Sequence, residues 1–381
     1  MDARPERLQR LPEQYFSGLF ARVQAAAHAD GEPLVDFARG NPEVGPPPHV
    51  LDRLAEASHE EGSHSYAAFR GLPALREAIA ARYADVYGVE LDPAREVAVI
   101  PGTKTAIVEL ALVLVERGRT LLLPDPGYPD YLSGAALAAG RHVPLVLDPS
   151  AGWSPDFDAA PAGDVAAVYL NYPSNPTAAA APTGCFDAAV IFAERTGAAV
   201  VHDFAYGDIV FDGRAPESFL ATDGARDVGV EMFSMSKTYG MAGWRVGFVV
   251  GNAEIVERVE LYQDHVRAGI FAPVQEASIA ALTGPQDTVE ERRAAYERRR
   301  DRVVETLGGT RVGVEPSGGS FYVWLCLPDG ITVDGLLSEH RVALAPGEGF
   351  GSRGAGWARL SLTVADETLA LGLERLARAF S

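Results

Sequence analysis

Cysteine is scarce in this sequence, with two residues among 381. Cys185 and Cys326 lie far apart and form no CxxC or Cys/His grouping, so neither a disulfide scaffold nor a zinc site is indicated. We expect both side chains to be small, apolar and buried, and we expect no metal.

Long apolar runs are also missing. No segment approaches the roughly 20 consecutive apolar residues that span a bilayer, and no apolar stretch follows a basic start. We therefore expect a soluble, cytoplasmic protein with no membrane partner.

Positive charge is in deficit too, because the sequence has 33 Lys and Arg against 52 Asp and Glu, which gives a formal net charge of −19. This balance opposes binding to nucleic acid, which attracts basic surfaces.

The apolar residues that are present follow an α/β rhythm. Short runs rich in Val, Ile and Leu alternate with longer Ala-, Leu- and Arg-rich runs, which is typical of strands buried on both faces of a mostly parallel sheet flanked by helices. The predicted strands are 97–101, 120–123, 142–147, 165–171, 198–203, 230–234 and 244–250. Ligands bind beyond the carboxyl ends of such strands, where Gly102, Asn171, Asp203 and Ser234 stand.

The pattern changes beyond about residue 285. A long charged helix is followed by short strands at 320–327 and 357–362 and by a helix from Asp366, which indicates a smaller α+β domain. A short strand at 34–37 is expected to pack with it. The predicted division is an N-terminal arm that forms part of the small domain (1–48), a large domain (49–284) and a C-terminal small domain (285–381).

One lysine stands between small hydroxyl residues, with an arginine eight positions later, in the segment SMSKTYGMAGWR. Ser234, Ser236, Lys237 and Arg245 have the layout of a lysine that holds an aldehyde cofactor as a Schiff base, beside groups that bind its phosphate. This segment resembles the pyridoxal-phosphate lysine motif of the class I/II aminotransferases.

The same resemblance assigns roles to two residues upstream of Lys237, the first of them 34 positions before it. Asp203, which ends a predicted strand, would keep the ring nitrogen of the cofactor protonated, and Tyr206 would donate to its phenolic oxygen. The alternative for Asp203 is a helix cap.

Other cofactor contacts are implied by three further segments. The turn at Gly102, Thr103 and Lys104 opens a helix whose free N–H groups suit a phosphate. Tyr128 would stack on the ring, unless it is an ordinary core tyrosine. In the family, the second asparagine of the loop NYPSNPT, here Asn175, bonds the phenolic oxygen and approaches the substrate carboxylate. Ala178 follows this loop where the family usually has glycine.

Substrate contacts are implied as well. Arg359 lies in an apolar strand, where its charge needs an anion. In the family the arginine at this place binds the substrate α-carboxylate, and a structural ion pair is the alternative. Gly40 would let the backbone approach the substrate. Tyr66 would reach the phosphate of a neighbouring subunit, which implies a homodimer with shared sites. Arg39 and Arg267 would bind a distal anion of the substrate, or are solvated surface residues.

Taken together, these motifs identify the whole chain as similar to fold-type I pyridoxal-phosphate enzymes. Within that group it resembles bacterial alanine and diaminopimelate aminotransferases. The resemblance implies transfer of an amino group between an L-amino acid, such as alanine, glutamate or a related one, and a 2-oxo acid. Because the same cofactor chemistry serves other reactions, one alternative is a lyase or synthase of the aminocyclopropane-carboxylate synthase type, acting by γ-elimination or C–C bond formation on an S-adenosylmethionine-like substrate. A sensory regulator with this fold is a second alternative, although this acidic chain has no room for a DNA-binding segment.

Overall fold

The computed structural model describes residues 4–28 and 32–381. The strands are β1 (Val35–Asp36), β2 (Val97–Ile100), β3 (Thr120–Asp125), β4 (Arg141–Asp148), β5 (Ser154–Pro155), β6 (Val165–Asn171), β7 (Ala199–Asp203), β8 (Gly229–Ser234), β9 (Gly247–Gly251), β10 (Gly313–Val314), β11 (Tyr322–Cys326), β12 (Val342–Ala343), β13 (Ala345–Pro346) and β14 (Trp357–Ser361).

The helices are α1 (Glu6–Gln9), α2 (Tyr15–Ala27), α3 (Pro48–His59), α4 (Pro73–Tyr87), α5 (Thr103–Leu114), α6 (Tyr131–Leu137), α7 (Cys185–Thr196), α8 (Ala225–Val228), α9 (Met235–Thr238), α10 (Ala253–Val266), α11 (Ala272–Thr283), α12 (Asp287–Leu307), α13 (Val333–Glu339) and α14 (Asp366–Phe380). No helix in the described part of the chain is long and apolar enough to cross a membrane.

An eight-stranded sheet forms the centre of the molecule, in the order β2-β9-β8-β7-β6-β3-β4-β5. The run β8-β7-β6-β3-β4 is parallel, whereas β9 and β5 pair antiparallel with their neighbours. Strands such as β6 consist entirely of buried residues because helices cover both faces of the sheet. The predicted mostly parallel, helix-flanked sheet is confirmed.

Two predicted strand starts were wrong for the same reason. The strand expected from residue 244 begins at Gly247, since Arg245 has a left-handed backbone with φ 59° that interrupts extended chain. The strand expected from residue 320 begins at Tyr322, because Ser320 likewise has a left-handed backbone, with φ 60°.

Cys326 is exposed, contrary to the expectation that both cysteines are buried.

A second apolar cluster joins the two ends of the chain. Strand β1 pairs in parallel with β12, and Val35 and Phe37 pack with apolar residues of α12, β11, β14 and α14. The four-stranded antiparallel sheet β10-β11-β14-β13 carries this cluster. It brings β14, and with it Arg359, towards the carboxyl ends of the central strands. The division of the chain at residues 48 and 284 stays a prediction.

Candidate active site

A cavity of about 420 Å³ opens at the carboxyl ends of β6, β7 and β8. The structure brings together there most of the residues that the sequence singled out: Gly40, Thr103, Lys104, Tyr128, Asn175, Asp203, Tyr206, Ser234, Ser236, Lys237, Arg245 and Arg359. They come from the N-terminal segment, the central sheet and β14. The cavity therefore depends on all three parts of the chain.

Lys237 lies in the single turn α9, directly after β8. Its Nζ donates to the carbonyl oxygen of Gly40 at 3.1 Å. Its enclosed position, together with the positive charges of Arg359 and Arg245, lowers the pKa of Lys237 to about 8, and Asp203 partly opposes this shift. With this pKa, roughly one Lys237 side chain in ten is a neutral amine at pH 7, against fewer than about one in a thousand for an ordinary lysine. The neutral amine is the form that attacks a carbonyl or accepts a proton.

Asp203 ends β7, and its carboxylate is buried. Oδ2 accepts from the hydroxyl of Tyr131 at 2.9 Å, and Oδ1 accepts from the backbone N–H of Ala205 at 3.2 Å. Burial raises the pKa of Asp203, although these hydrogen bonds act in the opposite direction. A carboxylate removed from water interacts strongly with a cation placed against it, because little solvent screens the pair. This is the environment that a protonated ring nitrogen would need.

Donors suited to a phosphate surround the other side of Lys237. Ser234 caps α9 by accepting from the N–H of Ser236 at 3.2 Å, and both residues line the cavity. The Arg245 guanidinium lies so close to Gly102 that a β-carbon there would be 2.4 Å from Nη2. Gly102 itself does not line the cavity. Because it has no side chain, the Arg245 guanidinium can occupy the space beside it.

Two observations indicate that this end of the cavity fits a phosphate. Arg245 donates to the carbonyl of Ala242 at 2.8 Å, and no carboxylate lies within ion-pair distance of it in residues 4–28 and 32–381. Helix α5 begins at Thr103, beside the same space, with its N-terminus towards the cavity. Lys104 is different, since its Nζ pairs with Asp130 at 2.9 Å.

Arg359 is a buried cation, with 1% of its surface exposed. Nη1 donates to Oδ1 of Asn175 at 2.7 Å, Nη2 donates to the carbonyl of Ala38 at 3.0 Å, and the guanidinium stacks on Tyr322 at 4.0 Å. Its Nε has no hydrogen-bond partner, and no carboxylate pairs with it among the described residues. The structural ion pair considered from the sequence is thus absent there. A buried cation without a counter-ion is costly, so this side chain is suited to an anionic ligand.

Aromatic side chains form the remaining walls. The hydroxyl of Tyr206 lies 3.3 Å from that of Tyr322, and Tyr128 lies against Phe16 with ring centroids 5.9 Å apart. Phe20 lines the same side of the cavity. A β-carbon on Gly40 would be 1.9 Å from the Tyr322 hydroxyl oxygen, so only glycine fits at this position.

The comparisons with known proteins agree with this geometry. Residues 32–376 match the family described as Aminotransferase class I and II. The chain belongs to the class I and II aminotransferases.

Individual relatives give the same result over the whole chain. It is 43% identical to an L-glutamine--4-(methylsulfanyl)-2-oxobutanoate aminotransferase of Bacillus subtilis, over 95% of this chain and 92% of the relative. It is 38% identical to an LL-diaminopimelate aminotransferase of Dehalococcoides mccartyi, over 98% and 97%. The solved structure of substrate-bound BacF from Bacillus subtilis superposes with a TM-score of 0.93 at 37% identity, covering 100% of this chain and 98% of that one. The chain is therefore a fold-type I aminotransferase, and these comparisons give the synthase alternative no support.

Besides Gly102, three residues predicted for the site of this aminotransferase do not line the cavity. Arg39 pairs with Asp36 at 2.9 Å, and Arg267 donates to the carbonyl of Val99 at 2.8 Å. This cavity gives the distal-anion role of the two arginines no support, and that role stays a prediction. The surface alternative fits Arg39, which is exposed. Tyr66 is 90% exposed, and its predicted contact with a neighbouring subunit stays a prediction.

The sequence interpretation missed several residues of the aminotransferase site. Tyr322 carries the contacts with Arg359 and Tyr206, and Tyr131 orients Asp203. Neither lies in a recognised motif. Phe16 and Phe20 stand four positions apart and thus on one face of α2, which was a detectable signal for a shared apolar surface.

The low pKa of Lys237 leads to a direct test. The chain has two lysines, Lys104 and Lys237. We expect acetic anhydride to acetylate Lys237 in the cofactor-free protein with a midpoint near pH 8. Burial and the nearby arginines destabilise the protonated amine, so Lys237 loses its proton at a lower pH than an ordinary lysine. Brief labelling across a pH series, with peptide mass spectrometry, gives this midpoint. A midpoint for Lys237 near 10.5 would contradict the described environment.

Proposed function

We propose that this aminotransferase works with pyridoxal 5′-phosphate held on Lys237, and that it moves an amino group between an L-amino acid, such as alanine, glutamate or a related one, and a 2-oxo acid. The observation that carries the proposal is the position of one low-pKa lysine in a cavity with two cations, Arg245 and Arg359, for which the described residues offer no carboxylate partner. Two anionic groups, a phosphate and a substrate carboxylate, match these two cations.

The residues that we propose for the cofactor line this cavity. Ser234, Ser236, Thr103 and Arg245 would bind its phosphate, with Lys104 at the edge of the same space. Asp203 would face the ring nitrogen, Tyr206 and Asn175 would donate to the phenolic oxygen, and Tyr128 would cover one face of the ring. When bound, this cofactor supplies an electron sink that makes the α-proton of an amino acid acidic.

Lys237 is suited to moving that proton. A base acts best when its pKa lies near the working pH, and burial together with Arg245 and Arg359 lowers the pKa of Lys237 to about 8. As a free amine, it would accept the proton from Cα of the substrate and later return a proton to C4′. Arg359 would hold the substrate carboxylate so that Cα faces Lys237.

The first prediction concerns the half-reaction. The protein loaded with pyridoxal phosphate should be yellow, and excess L-glutamine, L-glutamate or L-alanine should discharge the near-visible absorbance in the absence of a 2-oxo acid. One 2-oxo acid per site should be released, since the amino group stays with the enzyme, and a second 2-oxo acid should restore the colour. Absorbance and product chromatography measure both.

Lys237→Ala is the control for this experiment, and it should lose both the band and turnover. Retention of normal colour and activity by this variant would overturn the role of Lys237. Release of methylthioadenosine from S-adenosylmethionine, with no conversion by common amino acids, would favour the synthase reaction instead.

A second prediction separates the substrate arginine from its neighbour. Arg359→Ala should lower kcat/KM for every amino donor by about 30-fold or more, because loss of a desolvated charge partner typically costs about 2–5 kcal/mol. Arg39→Ala should change kcat/KM less than about threefold for alanine and for glutamate, since Arg39 lies outside the cavity. Steady-state kinetics with both donors decide, and equal losses in the two variants would refute the assignment.

We also propose that the chain is a homodimer in which Tyr66 reaches the phosphate site of the partner, and that it works in the cytoplasm. The support for the dimer is an exposed apolar surface made by Tyr66, Phe69, Val266 and Phe271, which we call the Tyr66 surface. The two segments that carry this surface contact each other. The rings of His64 and Phe271 are 5.8 Å apart, and Arg70 pairs with Asp264 at 2.8 Å. Such surfaces commonly mark protein interfaces.

The dimer predicts a sedimentation mass of twice the 40.5 kDa of the chain. Phe271→Glu should shift the equilibrium towards monomer, because it places a charge in the apolar interface. Ile191→Glu is the matched control, since Ile191 is an exposed apolar residue of α7 outside the Tyr66 surface. Sedimentation velocity over a concentration series measures the shift. A monomeric wild-type protein, or equal effects of the two substitutions, would refute the proposal.

A further inference from the structure

A buried carboxylate lies behind the site, outside the cavity. Asp208 stands two residues after Tyr206, and its side chain accepts three hydrogen bonds or ion-pair contacts. Oδ1 accepts from the Tyr87 hydroxyl at 2.7 Å and pairs with Nη2 of Arg82 at 2.8 Å. Oδ2 accepts from the hydroxyl of Thr238 at 2.8 Å. Arg82 and Asp208 are both buried, so each needs the other as its counter-ion.

The contact with Thr238 matters because of where this residue stands. Thr238 is the last residue of α9 and follows Lys237 directly. A helix of four residues has few internal hydrogen bonds, so its orientation depends on tethers to the surrounding structure. Ser234 caps its start, and the carbonyl of Thr238 accepts from Arg292. The Asp208 carboxylate fixes the other side of the turn through the Thr238 hydroxyl.

The same carboxylate belongs to the turn that presents Tyr206. The backbone N–H of Ile209 donates to the carbonyl of Tyr206 at 2.8 Å, which closes a tight turn around Asp208. One side chain therefore connects the Tyr206 turn, the Lys237 turn and, through Arg82 and Tyr87, helix α4. Asp208 does not line the cavity, so the cavity gives its buried carboxylate no other role.

We propose that Asp208 is a positioning residue for amino transfer: through its hydrogen bond from Thr238, it holds the Lys237 turn at a fixed place relative to the Tyr206 turn. The proposal rests on the proposed function of Lys237. It assigns to Asp208 no contact with substrate or cofactor. Its effect is on the placement of the Lys237 Nζ, where errors of about 1 Å can cost on the order of 100-fold in rate.

The test removes only the connecting hydrogen bond. Thr238→Val keeps the shape of the side chain without the hydroxyl, and Thr238→Ser keeps the hydroxyl. We expect kcat to fall about tenfold or more in Thr238→Val, with KM for the amino donor within about twofold, because binding groups such as Arg359 are untouched. Thr238→Ser should stay within about twofold of wild type in both constants.

A second readout uses the cofactor-free protein. Enclosure is the main reason for the low pKa of Lys237, so a loosened turn should admit water and raise the acetylation midpoint of Lys237 from near pH 8. Asp203, Arg245 and Arg359, the other groups that set this pKa, are the same in both variants. The midpoint should rise by at least about half a pH unit in Thr238→Val and stay unchanged in Thr238→Ser.

Tyr87→Phe is the matched control, because it removes a donor from the same carboxylate without touching the lysine turn. A purely structural role predicts that Thr238→Val and Tyr87→Phe both lower the melting temperature and leave kcat and the midpoint unchanged, which would overturn the proposal. Equal losses of kcat in Thr238→Val and Thr238→Ser would overturn it too. If Thr238→Val does not accumulate as folded protein, Thr238→Ala replaces it with the same expected outcomes.

The two proposals fail in different ways. Normal colour and turnover of Lys237→Ala refute the role of Lys237 itself. Loss of both in Lys237→Ala, together with wild-type kcat and midpoint in Thr238→Val, leaves that role intact and refutes the positioning role of Asp208.

Discussion

The burial of Arg359 with no carboxylate partner in the described part of the chain is the constraint on which the site depends. The protein tolerates this charge because Asn175 and the Ala38 carbonyl accept from it and the Tyr322 ring lies beneath it. These contacts leave the Nε with no hydrogen-bond partner among the described residues. The same charge, with that of Arg245, acts on Lys237 and lowers its pKa. A chain with a net charge of −19 thus maintains a local positive potential in one cavity.

The arrangement requires three distant parts of the chain to meet. The N-terminal segment supplies the carbonyls of Ala38 and Gly40, the central sheet supplies Asp203 and the turn with Lys237, and β14 supplies Arg359. The N–H of Ser361, at the end of β14, donates to the carbonyl of Phe37 at 2.9 Å, which links the last of these parts to the first. The side chains that line the cavity are therefore carried by different parts of the fold.

The sequence predicted what depends on local chemistry. The buried strands were detectable as apolar runs, and β6 has the bounds that its composition indicated, because a strand covered on both faces must be apolar throughout. Residues in motifs, such as Ser234 and Lys237, reach the cavity. Tyr322 and Tyr131 could not be predicted, since their roles depend on strand pairing and side-chain direction. Arg39 shows the converse, for its position was near the site while Asp36 holds its side chain away.

Gly40 and Gly102 give a final consequence of this packing. The space of a β-carbon on Gly40 is taken by the hydroxyl of Tyr322, and that on Gly102 is taken by the guanidinium of Arg245. Neither glycine contributes a reacting group, yet the smallest enlargement at either would displace an aromatic or cationic side chain from the cavity wall. A redesign that shortens Tyr322 would create room for an alanine at position 40. At Gly102 a shorter side chain in place of Arg245 would not be enough, because its φ of 86° strains any residue with a β-carbon.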